Sequence, residues 1–174
     1  MQTPDCIVNL SKKVMARTES NMLPLGTKAP DFRLVDAISN RMMALEDLKG
    51  EKGTVVMFIC NHCPFVKHVN EELVRIANDY RVSGFSFIAI MSNNIEEYPN
   101  DHPDLMWKLA RKYHYPFPYL YDQTQEVAKD YDAACTPDFY LFDSECLILG
   151  AVGDKNDIVL LNPGFKVENG LRIG

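Results

Sequence analysis

Two cysteines three positions apart, Cys60 and Cys63, are the residues of this chain best suited to chemistry. A thiolate, not a thiol, attacks a disulfide, and a helix amino terminus stabilises a nearby thiolate through its dipole and its free N–H groups. Cys60 is expected at such a position, with Cys63 close enough to resolve a mixed disulfide formed there. Between them, His62 can lower the Cys60 pKa from about 8.5 toward or below neutrality. The pair is therefore predicted to cycle between dithiol and disulfide.

Two other interpretations of the pair stay open. Two buried cysteines can fall three positions apart by chance and do no more than pack. Alternatively, Cys60, Cys63 and His68 could supply three ligands to zinc, but no second Cys/His pair at suitable spacing completes a closed site. No metal and no cofactor is therefore predicted.

The elements that must position the pair follow from the hydrophobic pattern. Residues 54–59 form a continuous apolar run, typical of a strand buried on both faces, and Cys60 comes directly after it. Pro64 suits the first turn of a helix, and apolar residues recur at helical spacing from there toward Gly84. A second apolar run at 85–91 predicts a parallel strand joined by a right-handed crossover. The fold class is predicted to be α/β.

Shorter elements are predicted around this unit. A surface loop at 92–103 is followed by a helix at 104–113, in which Trp107 is expected to pack. The other predicted elements are strands at 32–35 and 117–121, a helix at 125–131, and a hairpin made by 139–142 and 146–152. One domain at 23–153 is expected between a flexible lead, 1–22, and an irregular tail, 154–174.

Composition limits the class of protein. The 174 residues are 47% hydrophobic, enough for one core without disulfides, and the net charge of -6 argues against a nucleic-acid partner. The basic residues near the start are not followed by an apolar stretch, so neither a secretory signal nor a membrane span is predicted. The five cysteines do not resemble a secreted disulfide framework. A cytoplasmic location without nucleic-acid or membrane partners is expected.

Three features together resemble the thioredoxin superfamily: the strand before the cysteine pair, the Cys-x-x-Cys at a helix start, and Thr136-Pro137 directly before a later strand. The resemblance implies a thioredoxin-like fold, with a central mixed sheet flanked by helices. It also implies that Pro137 is a cis-proline facing the cysteines and that Thr136 and Pro137 bind substrate. Residues 26–34 and 45–50 are similar to the redoxin branch, which includes alkyl hydroperoxide reductase and thiol-specific antioxidant (AhpC/TSA) proteins. The resemblance covers about 23–152.

The peroxidase pattern of that branch is broken here. Peroxiredoxins carry a proline and a threonine seven and three residues before the peroxidatic cysteine, where Cys63 has Val56 and Cys60. They also place an arginine where this chain has Thr136-Pro137. The resemblance therefore favours disulfide exchange over peroxide cleavage.

The chain also departs from the thioredoxin pattern. Ile59 replaces the tryptophan usual before the first cysteine, and Thr54 stands where a buried acid would help to deprotonate the second cysteine. Proton transfer is therefore expected to be slow or to use water.

The leading prediction is a thiol–disulfide oxidoreductase with an antioxidant or redox-homeostasis role. In it, Cys60 attacks, Cys63 resolves and His62 tunes the thiolate, and the loop at Thr136 and Pro137 positions the substrate. The partners would be protein or small-molecule disulfides or thiols, with an unknown electron donor. One alternative is a redoxin-type peroxidase with Cys63 peroxidatic and Cys60 resolving. A second alternative is a catalytically weak thioredoxin-fold binding module.

Four other candidate residues receive smaller roles. Cys135 is interpreted as a small buried side chain, with a third redox thiol as the alternative. Cys146 is expected in the core, Cys6 is expected to be a spare thiol, and His68 is expected to face solvent.

Overall fold

The computed structural model describes Asn21 and residues 23–152, with side chains described as far as residue 150. The predicted lead, apart from Asn21, the predicted tail and Cys6 lie outside the described residues, so those predictions stay untested.

A seven-stranded mixed sheet forms the centre of the fold, in the order β2-β1-β5-β4-β3-β6-β7. The strands are β1 (Arg33–Asp36), β2 (Met42–Ala44), β3 (Gly53–Phe58), β4 (Phe85–Met91), β5 (Tyr119–Tyr121), β6 (Asp138–Asp143) and β7 (Ile148–Val152). The helices are α1 (Leu45–Leu48), α2 (Pro64–Arg81), α3 (Pro103–Tyr113) and α4 (Glu126–Asp130), with a 3₁₀ turn at Pro99–Asp101. β4 pairs in parallel with β3 and β5, and the other pairings are antiparallel. The predicted α/β class and mixed sheet are confirmed.

Strand β3 lies in the middle of the molecule because every one of its residues is buried. Val56 and Phe58 belong to one hydrophobic cluster, and Val55 and Met57 belong to a second one. Since successive side chains of a strand point to opposite faces, these clusters are the cores on the two sides of the sheet. Both cysteines of the pair belong to the second cluster.

The buried face of helix α2 belongs to the second cluster. Pro64 is its first residue and Cys63 is its N-cap, which suits proline because the first helical N–H has no partner within the helix. Val66, Leu73 and Ile76 are buried at helical spacing. After the helix, Gly84 adopts a φ of +87°, a conformation that favours glycine, and the chain turns into β4.

The register of β3 with β6 fixes the position of the cysteines. The pairing runs unbroken from Gly53 opposite Asp143 to Phe58 opposite Asp138. Cys60 is two residues after Phe58, and Thr136 is two residues before Asp138. Because the strands are antiparallel, the segment after β3 and the segment before β6 lie at the same end of the paired strands. On its other side β6 pairs with β7, and there the register shifts between Leu141 and Phe142.

Two parts of the fold differ from the prediction. Strand β2 and helix α1 were not predicted, and their three and four residues are too short to show a period. Trp107 is 40% exposed, so the prediction that it packs in the core is wrong. The buried residues of α3 are Met106 and Ala110, four positions apart, and Trp107 projects away from that face with the Arg111 guanidinium 5.0 Å from its ring centre.

In the part of the chain that the structure describes, no helix combines the length and the apolar character needed to cross a membrane.

Packing of α2 on the sheet should dominate the stability of the region around the pair. Leu73 is 3% exposed, so Leu73→Ala should lower the free energy of unfolding by about 2–5 kcal/mol, because it leaves a cavity. Leu25→Ala removes the same atoms from a side chain that is 47% exposed and should cost below about 1 kcal/mol. Urea denaturation followed by circular dichroism measures both. Equal losses in the two variants would contradict this account of the core.

Candidate redox site

The two cysteines follow β3 and precede α2, and both are free thiols. Cys60 has no exposed surface, whereas Cys63 is 7% exposed. The sequence predicts Cys60 at the helix amino terminus, but the helix begins at Pro64 and its N-cap is Cys63. The stabilisation of a thiolate by a helix terminus therefore applies to Cys63.

Hydrogen bonds around Cys63 favour its ionised form. They lower its pKa to about 5, with the thiol of Cys60 as the largest cause. The backbone N–H groups of Val66 and Phe65 and the side chain of Thr136 add to this effect, and burial opposes it. In its thiol form, Cys63 instead donates to the backbone oxygen of Thr136 at 3.2 Å. Cys63 is therefore the sulfur of the pair that loses its proton first.

The surroundings of Cys60 favour its neutral thiol. Its hydrogen bond to Cys63 is the largest cause that raises its pKa, and burial is the second. The negative charge of Asp101 acts in the same direction, while the Thr136 hydroxyl, 3.3 Å from the Cys60 sulfur, opposes it. The net shift of the Cys60 pKa is therefore upward, opposite to the direction expected from the sequence. The two sulfurs share one proton and one negative charge.

Thr136 contacts both sulfurs, through its hydroxyl to Cys60 and through its backbone oxygen to Cys63. The peptide bond between Thr136 and Pro137 is cis, as predicted. A cavity of about 380 Å³ opens beside this loop, with Thr136, Cys135 and His62 among its lining residues. The loop predicted to bind substrate thus lies against the cysteine pair.

A buried carboxylate, Asp101, holds the two residues between the cysteines. One of its oxygens, Oδ1, accepts from the backbone N–H groups of Asn61 at 2.8 Å and His62 at 3.1 Å. The other, Oδ2, lies 2.6 Å from Nδ1 of His62 and accepts from the Asn93 amide at 2.8 Å. Sequence reasoning missed Asp101, which lies in the polar segment interpreted as a surface loop. In the structure, Asp101 is the last residue of the 3₁₀ turn Pro99–Asp101.

Neighbouring side chains fix the ring of His62 and the side chain of Asn61. Tyr98 stacks on the His62 ring with ring centres 4.6 Å apart and planes 6° apart. The buried Tyr119 hydroxyl donates to Asn61 Oδ1 at 3.1 Å, and Asn61 Nδ2 donates to the backbone oxygen of Asn100. Burial is the main reason that the pKa of Tyr119 is raised well above its usual value. The loop between the cysteines is therefore held from three directions.

The remaining candidates lie outside this arrangement or at its border. His68 is exposed on α2, as predicted. Cys146 is buried in the cluster on the opposite face of the sheet. Cys135 is half-buried and lines the cavity. Thr54 is buried and its hydroxyl accepts from the Gly50 N–H, so no acid occupies that position.

The donor set considered for zinc differs from the one that the structure assembles. Within the described residues, donor atoms of Cys60, His62 and Asp101 lie within 4.8 Å of one another, and His68 is not among them. Two of these three atoms already share the hydrogen bond between His62 and Asp101.

The ionisation of Cys63 can be measured directly. Alkylation of the reduced protein by iodoacetamide should occur first at Cys63 and show an apparent pKa of about 5. Cys60→Ala should raise that pKa, since the thiolate loses its strongest hydrogen bond. Peptide mapping of the alkylated protein across pH measures both effects. First modification at Cys60, or a Cys63 pKa near the usual ~8.5, would contradict the assignment.

Comparisons with known proteins agree with the fold. A crystal structure of an uncharacterised conserved protein from Geobacillus kaustophilus is 56% identical to this chain, with a TM-score of 0.78, covering 86% of this chain and 78% of that one. A hypothetical protein from Sinorhizobium meliloti 1021 is 38% identical, with a TM-score of 0.76, covering 87% and 81%. A secreted disulfide oxidoreductase from Mycobacterium tuberculosis is 18% identical, with a TM-score of 0.60, covering 73% and 86%, and shares the fold.

The comparison with curated proteins gave no match. The model of the AhpC/TSA family matches residues 25–150, which is most of the chain. The thioredoxin-like fold and the redoxin resemblance predicted from the sequence are therefore confirmed, and the chain belongs to the AhpC/TSA family.

Proposed function

We propose that this protein is a thiol–disulfide oxidoreductase whose redox pair is Cys60 and Cys63. The observation that carries the proposal is the contact of Thr136 with both sulfurs, at 3.3 Å and 3.2 Å, beside an open cavity. A substrate disulfide that docks on this loop is brought to a pair of thiols that can close into a disulfide. Membership of the AhpC/TSA family supports thiol chemistry in general.

The order of events proposed here reverses the one expected from the sequence. Cys63 attacks, because it is the more exposed residue of the pair and its thiolate receives the helix N–H groups. Cys60 resolves, because it is fully buried and keeps its proton while Cys63 is charged. His62 stays next to the pair because its ring nitrogen Nδ1 is hydrogen-bonded to Asp101.

The reaction balances in two steps. The Cys63 thiolate forms a bond to one substrate sulfur, the substrate S–S bond breaks, and the first substrate thiolate leaves. Cys60 then loses its proton and attacks the Cys63 sulfur, which releases the second substrate thiolate and closes the disulfide between Cys60 and Cys63. The substrate gains two electrons and the pair loses them. A dithiol donor of unknown identity would return the pair to its reduced form.

Exposed aromatic side chains border the site and support a substrate larger than a single amino acid. Phe65 directly follows the first residue of α2 and is exposed, and so is Tyr98 on the His62 ring. Such side chains offer apolar area to a docked chain. Protein disulfides and bulky small-molecule disulfides remain the proposed substrates, with no nucleic-acid partner. A reducing, cytoplasmic location would keep the pair ready for them.

Single-cysteine variants test the activity and the order together. With insulin as substrate and dithiothreitol as donor, Cys63→Ser should abolish reduction, because the attacking sulfur is lost. Cys60→Ser should stop turnover but accumulate a mixed disulfide at Cys63, which mass spectrometry detects. The reaction is run at pH ~9, where a cysteine ionises without help. Cys146→Ala, on the other face of the sheet, is the matched control and should keep activity. Turnover that survives both site variants would refute the proposal, and a trap at Cys60 alone would restore the order expected from the sequence.

A peroxidase remains the second candidate, because a depressed pKa at a helix terminus also suits a sulfur that attacks peroxide. In Cys60→Ser, hydrogen peroxide would then form a sulfenic acid at Cys63 that dimedone labels. We expect slower consumption of peroxide than of disulfide by the unaltered chain. Faster consumption of peroxide would promote the peroxidase, and no turnover of either substrate would favour the binding module.

A further inference from the structure

We propose that the buried carboxylate of Asp101, together with His62, accepts the proton that Cys60 must lose when it resolves the mixed disulfide at Cys63. The inference rests on the proposed function, because it concerns the second step of that reaction. It replaces the acid expected at position 54, where the chain has Thr54. The acid comes instead from the 3₁₀ turn before α3.

Asp101 is built into the site as a fixed acceptor. Its side chain has no exposed surface, and four hydrogen bonds hold its two oxygens. Among the described residues, the group that ion-pairs with it is His62, and no lysine or arginine does so. A buried carboxylate whose one basic partner is a histidine can exchange a proton with that partner.

The carboxylate lies close enough to Cys60 for a proton to pass between them through His62 or one water molecule. The Cys60 sulfur, a ring nitrogen of His62 and an oxygen of Asp101 all lie within 4.8 Å of one another. The His62 side chain is 33% exposed, whereas that of Asp101 is fully buried. The histidine therefore connects the buried acid to solvent and gives the proton an exit.

The charge on Cys63 determines when the proton moves. In the resting pair, the Cys63 thiolate accepts a hydrogen bond from the Cys60 thiol. Once Cys63 forms the mixed disulfide, that negative charge is gone and Asp101 is the remaining anion beside Cys60. The proton then passes from the Cys60 sulfur to the Asp101–His62 pair. The Cys60 electron pair forms the new S–S bond, and the departing substrate thiolate takes a proton from His62 or water.

Other titratable groups also face this cluster and must be considered in any pH profile. They are Cys63 at the start of α2, Tyr119 on β5, Tyr98 beside the His62 ring, Cys135 and Lys129 at the cavity, and Lys67, Lys108 and Lys112, which share a second depression with His62.

The test separates attack from resolution in the full chain. In Asp101→Asn, resolution should slow by about 10²-fold or more, the usual contribution of acid–base catalysis. Attack is measured at pH ~9 in Cys60→Ser and in the double variant that also carries Asp101→Asn. Its rate should differ by less than about threefold between the two, because a Cys63 that ionises without help does not need Asp101. Rapid-quench trapping of the mixed disulfide measures both steps.

The pH profile supplies a readout that a purely structural role would not give. In Asp101→Asn, the rate of resolution should rise about tenfold per pH unit, because Cys60 must then give its proton to water or hydroxide. The unaltered chain should show a much flatter profile. Asp104→Asn is the matched control, since it removes an exposed carboxylate at the start of α3 and should leave both steps unchanged.

Three results would overturn the inference: resolution within threefold of the unaltered chain, an unchanged pH profile, or equal losses in both steps. If Asp101→Asn fails to fold, His62→Gln applies the same test, since glutamine can hydrogen-bond to Asp101 but cannot carry the proton. It should slow resolution and steepen its pH dependence, and an unaltered profile would refute the relay. Absence of any mixed disulfide in Cys60→Ser would refute the proposed function itself, which distinguishes the two failures.

Discussion

The antiparallel pairing of β3 with β6 is the constraint on which the site depends. Backbone hydrogen bonds place Phe58 opposite Asp138, so two chain segments about 75 residues apart leave the sheet side by side. Cys60 and Thr136 meet because each lies two residues beyond that pair. A shift of one residue would turn every side chain of β6 to the other face and expose the core. The same burial that stabilises the sheet therefore fixes the distance between loop and sulfur.

The two sulfurs differ because Cys60 lies just after the end of β3, whereas Cys63 caps the start of α2. Cys63 receives the N–H groups of Phe65 and Val66, which the first turn of α2 cannot use internally, whereas Cys60 receives only the backbone N–H of the N-cap residue, Cys63. Ionising both would place two negative charges in a buried region beside Asp101, which electrostatics opposes. One charge shared by two sulfurs is the state that this environment stabilises.

The strongly patterned parts of the sequence predicted the fold well. The buried runs at β3 and β4 and the amphipathic face of α2 carry local signals that tertiary contacts do not override. The Thr136-Pro137 loop was identified instead through the resemblance to the thioredoxin superfamily. The N-cap was assigned wrongly although its signal was present, since a proline at the first helical position indicates that the preceding residue is the cap. Cys63, not Cys60, fits that rule.

Asp101 could not have been identified from its surroundings in the chain. Its partners Asn61 and His62 lie 40 and 39 residues away, and its own segment is polar and aperiodic, which is typical of a solvated loop. Most of that segment is exposed, and Asp101 is buried by contacts with residues distant in sequence, which a pattern within the segment does not record. Trp107 shows the reverse case, a large apolar residue that lies one position off the buried face of α3.

The register shift between β6 and β7 has a consequence for how this protein can vary through evolution. The irregularity lies on the outer side of β6, so a change in the length of the β6–β7 hairpin can be absorbed between Leu141 and Phe142. The inner pairing of β6 with β3 has no such shift. We therefore expect insertions and deletions to be tolerated better at the outer edge of the sheet than between Thr136 and Asp138, where a change in length would move the loop away from the Cys60 sulfur.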